Sequence, residues 1–482
     1  MDFYFEKIRA AKAFVFVFSL AAVLATAGCE PPKTTTNANV AVNTTTANTA
    51  TNSAANATQN VSEANKNLES QMPVTLPVLD AMFSDESFAG DLKSKLQLTD
   101  EQIDKLKNIS RQATAGLRES DDASGSTRAS MERAGQQIKE VVGENNANKF
   151  FEFVRQRWSG GDETADASGN ATGNPAGKIN SIPTDTRVVV NAPAYRMDLF
   201  QDGKLVKTYK IGIGYPEFPL PSGMRKANEL IFNPTWTPPD EPWVEASNKI
   251  KAGEKVAAGD KLNPLGPIKI PIGLPSLIHG GKNPAKLGTF ASHGCVGLTN
   301  KQVQDFSLDL AKISGIELTR EDVAAYEKQK TETKNVKLGK SIPVELRYET
   351  IVVEDGKLRI FRDVYEKGTN TEENLLKVFE TYGVSFDSLN EQVRQKILAG
   401  LKQMAYDATG NPVDANAASN VNSNMNSNKS ANGNTNLNAK GNSKSQGEQV
   451  TRSVKGSKEV VFDLAELKGK GYPAPVAMNM GK

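Results

Sequence analysis

Residues 278–300 read IHGGKNPAKLGTFASHGCVGLTN and contain both histidines of this 482-residue chain, His279 and His293. They also contain Cys295, one of its two cysteines. Histidine exchanges protons near neutral pH, and cysteine is an intrinsically strong nucleophile once it is ionised. We therefore expect the chemistry of the protein in this stretch.

The residues around Cys295 favour acyl chemistry. A thiol of ordinary pKa needs a nearby base or positive charge to form its thiolate, and a histidine can supply the base. Gly294 allows a substrate carbonyl to approach the main chain, where N–H groups can stabilise an oxyanion. His293 and Cys295 point the same way if the segment is extended, whereas His279 can reach the thiol only through tertiary structure.

Two other interpretations of the three residues stay open. His279, His293 and Cys295 could be zinc ligands, although the chain has no further histidine for the fourth position and the spacing matches no standard zinc finger. They could also be a buried structural cysteine with two hydrogen-bonded histidines.

The second cysteine belongs to an export signal. Residues 1–29 have a basic start, an apolar run and the ending Ala27-Gly28-Cys29, which is similar to a bacterial lipoprotein signal. We expect export and a lipid on Cys29 that anchors the protein at the periplasmic face of a membrane. Glu30 after Cys29 favours the outer membrane. With Cys29 lipidated, Cys295 has no partner for an internal disulfide.

Composition shifts divide the chain into segments. A net charge of +2 gives no support for a nucleic-acid partner. The predicted segments are a signal peptide (1–29), a disordered tether (30–66), a helical module (73–158), a linker (159–180), a mainly β domain with a C-terminal hairpin extension (181–365), a helical segment (366–413), a disordered Asn- and Ser-rich linker (414–450) and a short tail (451–482).

The helical module is predicted from a capping box at Thr99 and Gln102 and from apolar stripes, of which Phe150, Phe151 and Val154 form one. The stripes are typical of the core of a helical bundle. The alternative is a module that docks a protein partner, which the sequence does not identify, or presents substrate.

The domain at 181–365 has β periodicity, so the predicted fold class is α+β with a mainly β domain. A hairpin turns at residues 201–204, and a second hairpin runs from 344–353 to 358–361. A helix begins after Thr299 and ends at Gly315. Further helices are predicted at 371–382 and 388–405, and a strand at 460–462.

Ser292-His293-Gly294-Cys295, with His279-Gly280 upstream, resembles the signature of L,D-transpeptidases of the YkuD type. The similarity extends over about 185–320. It implies an enzyme that acylates itself with a peptidoglycan stem peptide, releases D-Ala and transfers the acyl group to an amine. That amine would belong to another stem, giving a 3-3 cross-link, or to a protein.

The resemblance also implies roles for the residues. Cys295 would be the nucleophile, and His279 the general base, oriented by the carbonyl of Gly280. His293 and Gly294 would shape the pocket and oxyanion hole, with Ser292 as a supporting hydrogen-bonding group. No metal or organic cofactor is implied.

One position departs from the family pattern. Gly297 stands where the family usually carries Arg or Asn. Arg225, Lys226 and Lys282 could supply charge, although a solvated position is typical of such residues. The alternative functions are a peptidoglycan hydrolase, such as an L,D-carboxypeptidase, and a non-catalytic lipoprotein that binds the cell wall.

Overall fold

The structure of the protein is a computed structural model. It describes residues 74–115, 118–120, 126–158, 179–238, 244, 249–251, 253–273, 276–408, 410, 412, 449–451 and 453–476. These residues lie in one compact unit of the chain, Thr58–Lys482. The predicted signal, Cys29, the tether and most of both predicted linkers fall outside the described residues. Within the described ranges, no helix is long and apolar enough to cross a membrane.

The N-terminal part of the described chain is helical. Its helices are α1 (Leu76–Phe83), α2 (Glu86–Leu96), α3 (Asp100–Ala115), α4 (Thr127–Val142) and α5 (Glu144–Trp158). As predicted, Thr99 and Gln102 form a capping box at the start of α3, each side chain accepting the other residue's backbone N–H. The apolar stripes meet in one core, in which Leu106, Ile138 and Phe150 have no exposed surface.

A mixed sheet of eight described strands forms the centre of the β domain. In chain order, the first eleven described strands, not all of which belong to this sheet, are β1 (Arg118–Ser120), β2 (Arg187–Asn191), β3 (Arg196–Gln201), β4 (Lys204–Lys210), β5 (Ile213–Gly214), β6 (Gly223–Phe232), β7 (Ile268–Pro271), β8 (Leu277–His279), β9 (Phe290–Ser292), β10 (Val296–Gly297) and β11 (Lys334–Arg347). Their order in the sheet is β10-β8-β7-β6-β11-β2-β3-β4. The pairs β10–β8 and β11–β2 are parallel. Strands β5 and β9 form a separate parallel pair.

The first predicted hairpin is β3–β4. Its turn residues Asp202 and Gly203 both have positive φ, as a two-residue type I′ turn requires. Alternate residues of β2 and β3, including Val188, Val190 and Leu199, are buried in the main core of the domain.

Two helices follow β10, namely α6 (Asn300–Ser314) and α7 (Arg320–Lys328). As predicted, α6 begins after Thr299 and ends at Gly315, whose φ of 90° lies in the left-handed region; the structure adds that Thr299 forms a capping box with Gln302. Val303, Phe306 and Leu310 of α6 are buried in the same core as the large sheet. The helix therefore supports the sheet next to residues 278–300.

The C-terminal part of the described chain forms a smaller layer. Its elements are β12 (Ile351–Glu354), β13 (Lys357–Phe361), α8 (Glu372–Thr381), α9 (Glu391–Met404), β14 (Gln449–Thr451) and β15 (Glu459–Asp463). Strands β12, β13 and β15 make a three-stranded sheet, and β14 pairs with β1. The strand predicted at 460–462 is part of β15.

The second predicted hairpin is present only from residue 351 onward. Residues 344–347 belong instead to β11, which pairs with β2 and β6 in the large sheet. An apolar β pattern shows that a segment is extended but does not show which strand it pairs with. The prediction of an α+β fold, with a helical region before a mainly β domain, is confirmed.

The helical region is joined to the β domain at the turn of residues 215–218. Thr75 Oγ1 donates to the carbonyl of Glu217 (2.6 Å), and Thr127 Oγ1 donates to the carbonyl of Pro216 (2.7 Å). Both threonines are fully buried. These bonds connect the helices to a segment that lies beside His293.

Candidate functional site

The pairing of β8 with β10 brings the chain around Cys295 close to His279. Gly297 of β10 lies directly beside His279 of β8. Cys295 lies immediately before β10, and its thiol forms a hydrogen bond with the backbone of Leu277, two residues before His279 in β8. The alternate residues Ile278 and Val296 are paired and fully buried on the opposite face, in the core.

The ring of His279 is buried, with 3% of the residue exposed. Its Nδ1 lies 2.7 Å from the carbonyl oxygen of Gly280. A carbonyl oxygen only accepts hydrogen bonds, so Nδ1 carries the hydrogen and Nε2 of the neutral ring keeps its lone pair. Burial and then the charge of Lys282 lower the pKa of His279 to about 3, while backbone hydrogen bonds at Gly280 and Leu265 act in the opposite direction. Near pH 7 the ring is therefore neutral and Nε2 is unprotonated.

The backbone of Cys295 is held by Ser292. Ser292 Oγ accepts the Cys295 N–H (3.0 Å) and donates to the Cys295 carbonyl oxygen. Between the two residues, Gly294 has a φ of 86°, in a region that residues with a Cβ rarely adopt. The position of the thiol is thus set by a tight turn that needs a glycine.

The thiol of Cys295 is partly exposed. Burial raises its pKa, whereas a hydrogen bond with the Leu277 backbone and the charges of Lys282 and Lys269 lower it. Because the net direction is upward, the resting thiol is protonated near pH 7. Formation of the thiolate then depends on a base and on nearby positive charge.

His293 lies against two aromatic rings. Its ring is 5.1 Å from that of Tyr215 and 4.7 Å from that of Phe218, and both contacts are edge-on. Burial and then the charge of Lys282 lower the pKa of His293 to about 3. His293 therefore forms a neutral part of the wall beside the thiol.

Gly280 links the site to α6. Its N–H donates to the carbonyl of Ile268, and its own carbonyl accepts the His279 ring. A Cβ at Gly280 would lie 2.9 Å from Val303 Cγ1 and 3.1 Å from Asn300 Oδ1. Only a residue without a side chain fits there.

Lys269 is a site residue that the sequence analysis did not identify. It is paired with His279 across β7 and β8, so both side chains lie on the same face. Its neighbours Ile268 and Ile270 are fully buried on the other face. The alternation Ile-Lys-Ile is the signal that could have indicated this position.

Two of the three cations expected to be solvated are not. Lys226 is exposed, as expected, but Arg225 is only 1% exposed, and Lys282 lies partly buried against Gly297. The expectation was wrong because it rested on residue type, and residue type alone does not determine burial. Tyr215 and Phe218 also escaped notice, since their contact with His293 joins distant parts of the chain.

A protein zinc site needs at least three ligand side chains around one point. Over the described ranges, no group of three His, Cys, Asp or Glu side chains is arranged to hold a metal ion.

Comparison with known proteins gives a family match and several structural similarities. Residues 185–311 match the model of the YkuD family, described as the L,D-transpeptidase catalytic domain. Comparison with curated protein sequences gives no match.

Three similar solved structures illustrate the structural comparison. The Ldtfm–avibactam carbamoyl enzyme is 18% identical over 34% of this chain and 49% of its own, with a TM-score of 0.22. The catalytic domain of an E. faecium L,D-transpeptidase is 17% identical over 35% of this chain and 100% of its own, with a TM-score of 0.21. An L,D-transpeptidase from Mycobacterium tuberculosis H37Rv is 16% identical over 34% of this chain and 57% of its own, with a TM-score of 0.19.

The chain spans about half the length of the first of these structures. The family match covers strands β2 to β10, residues 278–300 and most of α6, but not β11 of the large sheet. Residues 185–311 of the chain are therefore similar to the L,D-transpeptidase catalytic domain of the YkuD family.

Proposed function

We propose that the protein is a peptidoglycan L,D-transpeptidase that uses Cys295 as its nucleophile and His279 as its general base. The observation that carries the proposal is the β8–β10 pairing, which places Gly297 beside His279, together with the hydrogen bond of the Cys295 thiol to the Leu277 backbone in the strand of His279. The tautomer of His279 supports the assignment, because Nε2 keeps its lone pair while Nδ1 donates to Gly280. The family match supports a stem peptide of peptidoglycan as the substrate.

The reaction has two acyl-transfer steps. In the first, Nε2 of His279 accepts the thiol proton as the sulfur bonds to the carbonyl carbon of the third stem residue. The C–N bond then breaks, and the proton passes from Nε2 to the amine of the departing D-Ala. In the second, an acceptor amine adds to the thioester and gives a proton to Nε2, the C–S bond breaks, and the sulfur recovers its proton.

The turn at 292–295 would line the site of the developing oxyanion. Backbone N–H groups there are held in place by Gly294 and by the bonds to Ser292. In the resting structure the Cys295 N–H donates to Ser292 Oγ. When an oxyanion forms, this N–H must therefore be shared between Ser292 Oγ and the oxyanion. His293 supplies the adjacent wall rather than a proton, since its ring is packed between Tyr215 and Phe218.

A lipid on Cys29 would anchor the exported protein at the periplasmic face, with the outer membrane favoured by Glu30. This proposal rests on the sequence of residues 1–30. Labelling cells with a radioactive fatty acid tests it: the label should be found on the wild type and be lost in Cys29→Ala. An equal label on both proteins would refute it.

The enzymatic proposal is tested with purified full-length protein in detergent and tetrapeptide muropeptides, analysed by mass spectrometry. The expected product is a cross-linked dimer that has lost one D-Ala. Cys295→Ala should reduce the rate by at least about 10³-fold, as removal of a nucleophile does in other acyl-transfer enzymes. Cys29→Ala is the matched control, because it removes the other cysteine and should retain the rate.

Other products would select a different function. Free tripeptide without a dimer would make the protein a hydrolase. Unchanged muropeptide, together with no covalent adduct of Cys295 with a carbapenem, would leave a wall-binding lipoprotein.

A further inference from the structure

The space above Gly297 is filled by the side chain of Lys282. A Cβ built at Gly297 would lie 2.8 Å from Lys282 Cγ and 2.9 Å from Lys282 Cε. Real Cβ atoms do not approach so closely, so position 297 and the stem of Lys282 use the same volume. A side chain at position 297 would therefore require the Lys282 side chain to move.

Backbone hydrogen bonds hold Lys282 at a position from which its side chain covers Gly297 of β10. Its N–H donates to the carbonyl of Leu298 (3.0 Å), and the Leu298 N–H donates to the carbonyl of His279 (2.8 Å). The N–H of Gly281 donates to Asn300 Oδ1 (2.7 Å) at the start of α6. These bonds attach the segment after His279 to the segment after Cys295, so Lys282 has a defined place in the site.

The charge of Lys282 acts on every chemically active group of the site. It lowers the pKa of His279, His293 and Cys295. Burial lowers the pKa of Lys282, and the charge of the Cys295 thiolate acts in the opposite direction. Coulomb coupling between two groups is mutual, so both directions describe one interaction between the ammonium and the thiol.

The other charged groups facing the thiol are weaker candidates for this role. Both histidine rings are neutral near pH 7, because their pKa values lie at about 3. The charge of Lys269 also reaches Cys295, but it is coupled to the carboxylate of Glu229 as well. Lys282 is the cation that both contacts β10 and couples to the thiol.

We propose that Lys282 replaces the side chain that position 297 lacks: its stem occupies the room above Gly297 and its ammonium stabilises the thiolate of Cys295. The proposal deepens the proposed function, because it names a further residue of the same site. It also explains why a glycine is tolerated at 297, since a larger side chain and Lys282 cannot be accommodated together.

The first test measures the ionisation of Cys295 directly. The rate of alkylation by iodoacetamide is followed against pH in the Cys29→Ala background, so that one thiol is observed. Lys282→Gln should move the midpoint upward by about one pH unit, as expected when a positive charge is removed near a thiol. Lys282→Arg should keep most of the wild-type midpoint. Lys286→Gln, an exposed lysine of the same loop, is the control and should leave the midpoint unchanged.

The second test exchanges the two positions. Gly297→Arg alone should slow alkylation and turnover, because the new side chain collides with Lys282. Lys282→Ala alone should slow them by removing the cation. The double variant Lys282→Ala/Gly297→Arg should be faster than either single variant, since it restores one cation in the same volume.

The proposal fails if Lys282→Gln alkylates with the wild-type midpoint, or if the double variant is no faster than the faster of the two single variants. Thermal unfolding of each variant separates misfolding from a lost charge, and the exchange remains informative even if Lys282→Gln is unstable. Because alkylation requires no stem peptide, the test is independent of the muropeptide result. A shifted midpoint with no muropeptide product would refute only the proposed function.

Discussion

His279 is held in a neutral state by its surroundings. Its pKa is lowered to about 3 by burial and by Lys282, compared with 6.5 for a free histidine. The folded protein thus takes up a proton on this ring only at very low pH, whereas the unfolded chain takes it up below about 6.5. This difference makes the stability of the fold depend on pH.

The free energy of unfolding should fall as the pH falls. Between pH 6.5 and 3 the unfolded state binds the proton and the folded state does not, so stability is present above this window and is lost as pH falls through it. His279→Gln should remove this contribution while its amide can still donate toward Gly280. The free energy of unfolding of the wild type should fall more steeply from pH 6.5 to 4 than that of the variant, by up to about 1.4 kcal/mol per pH unit.

Denaturant unfolding at several pH values measures both slopes. The carboxylates that titrate in this range are common to both proteins and cancel in the comparison. Equal slopes would show that the ring of His279 is protonated in the folded protein near its usual pKa.

At the level of elements, the turn at 215–218 joins the helical region to the candidate site. Thr75 and Thr127 hydrogen-bond its carbonyls from the helical side. On the other side, Tyr215 and Phe218 contact the ring of His293. The helices therefore support one wall of the site.

Thr127→Val should weaken this support, because it keeps the shape of the side chain but leaves the buried carbonyl of Pro216 without its donor. The expected loss is about 1–3 kcal/mol of unfolding free energy. Turnover should also fall, since the turn holds Tyr215 and Phe218 against His293. Thr381→Val is the control: that hydroxyl also donates to a carbonyl, that of Lys377, but at an exposed position of α8.

Urea unfolding and the muropeptide rate provide the two measurements. If Thr127→Val and Thr381→Val lose the same small amount of stability, the helical region does not hold the turn.

The ends of α6 could be predicted from the sequence, whereas the strand partner of residues 344–347 could not. The ends of α6 were predicted because Thr299 and Gly315 cap a helix through local hydrogen bonds and local φ. Residues 344–347 were assigned to the wrong hairpin because the partner of a strand depends on residues far away in the chain.

At the scale of the whole molecule, the C-terminal tail packs against the rest of the described structure. Strand β15 is an edge strand beside β13, and Leu464, Leu467 and Tyr472 from the tail are buried. Tyr472 donates to the buried carboxylate of Asp198 in the large sheet (3.2 Å). Lys458 Nζ donates to the carbonyl of Gly288, in the loop between His279 and Cys295.

Deletion of residues 449–482 should therefore destabilise the entire β domain. Each large apolar side chain removed from a buried site costs about 1.5–3 kcal/mol, so the three together amount to several kcal/mol. Thermal unfolding followed by circular dichroism should show a clearly lower midpoint. Deletion of residues 477–482 alone is the control, because it leaves β15 and Tyr472 in place. A wild-type midpoint for the longer deletion would show that the tail is dispensable.

By itself, the sequence determined the residue types of the candidate site and the places where helices and turns begin and end. Such features depend on neighbouring residues: a thiol with two histidines within 278–300, a capping threonine, a glycine at positive φ. Only the tertiary structure decided that His279 lies beside Gly297, that Lys282 covers Gly297, and that the 215–218 turn packs on His293. These contacts follow from strand register and chain reversal, and periodicity alone does not specify which distant residues meet.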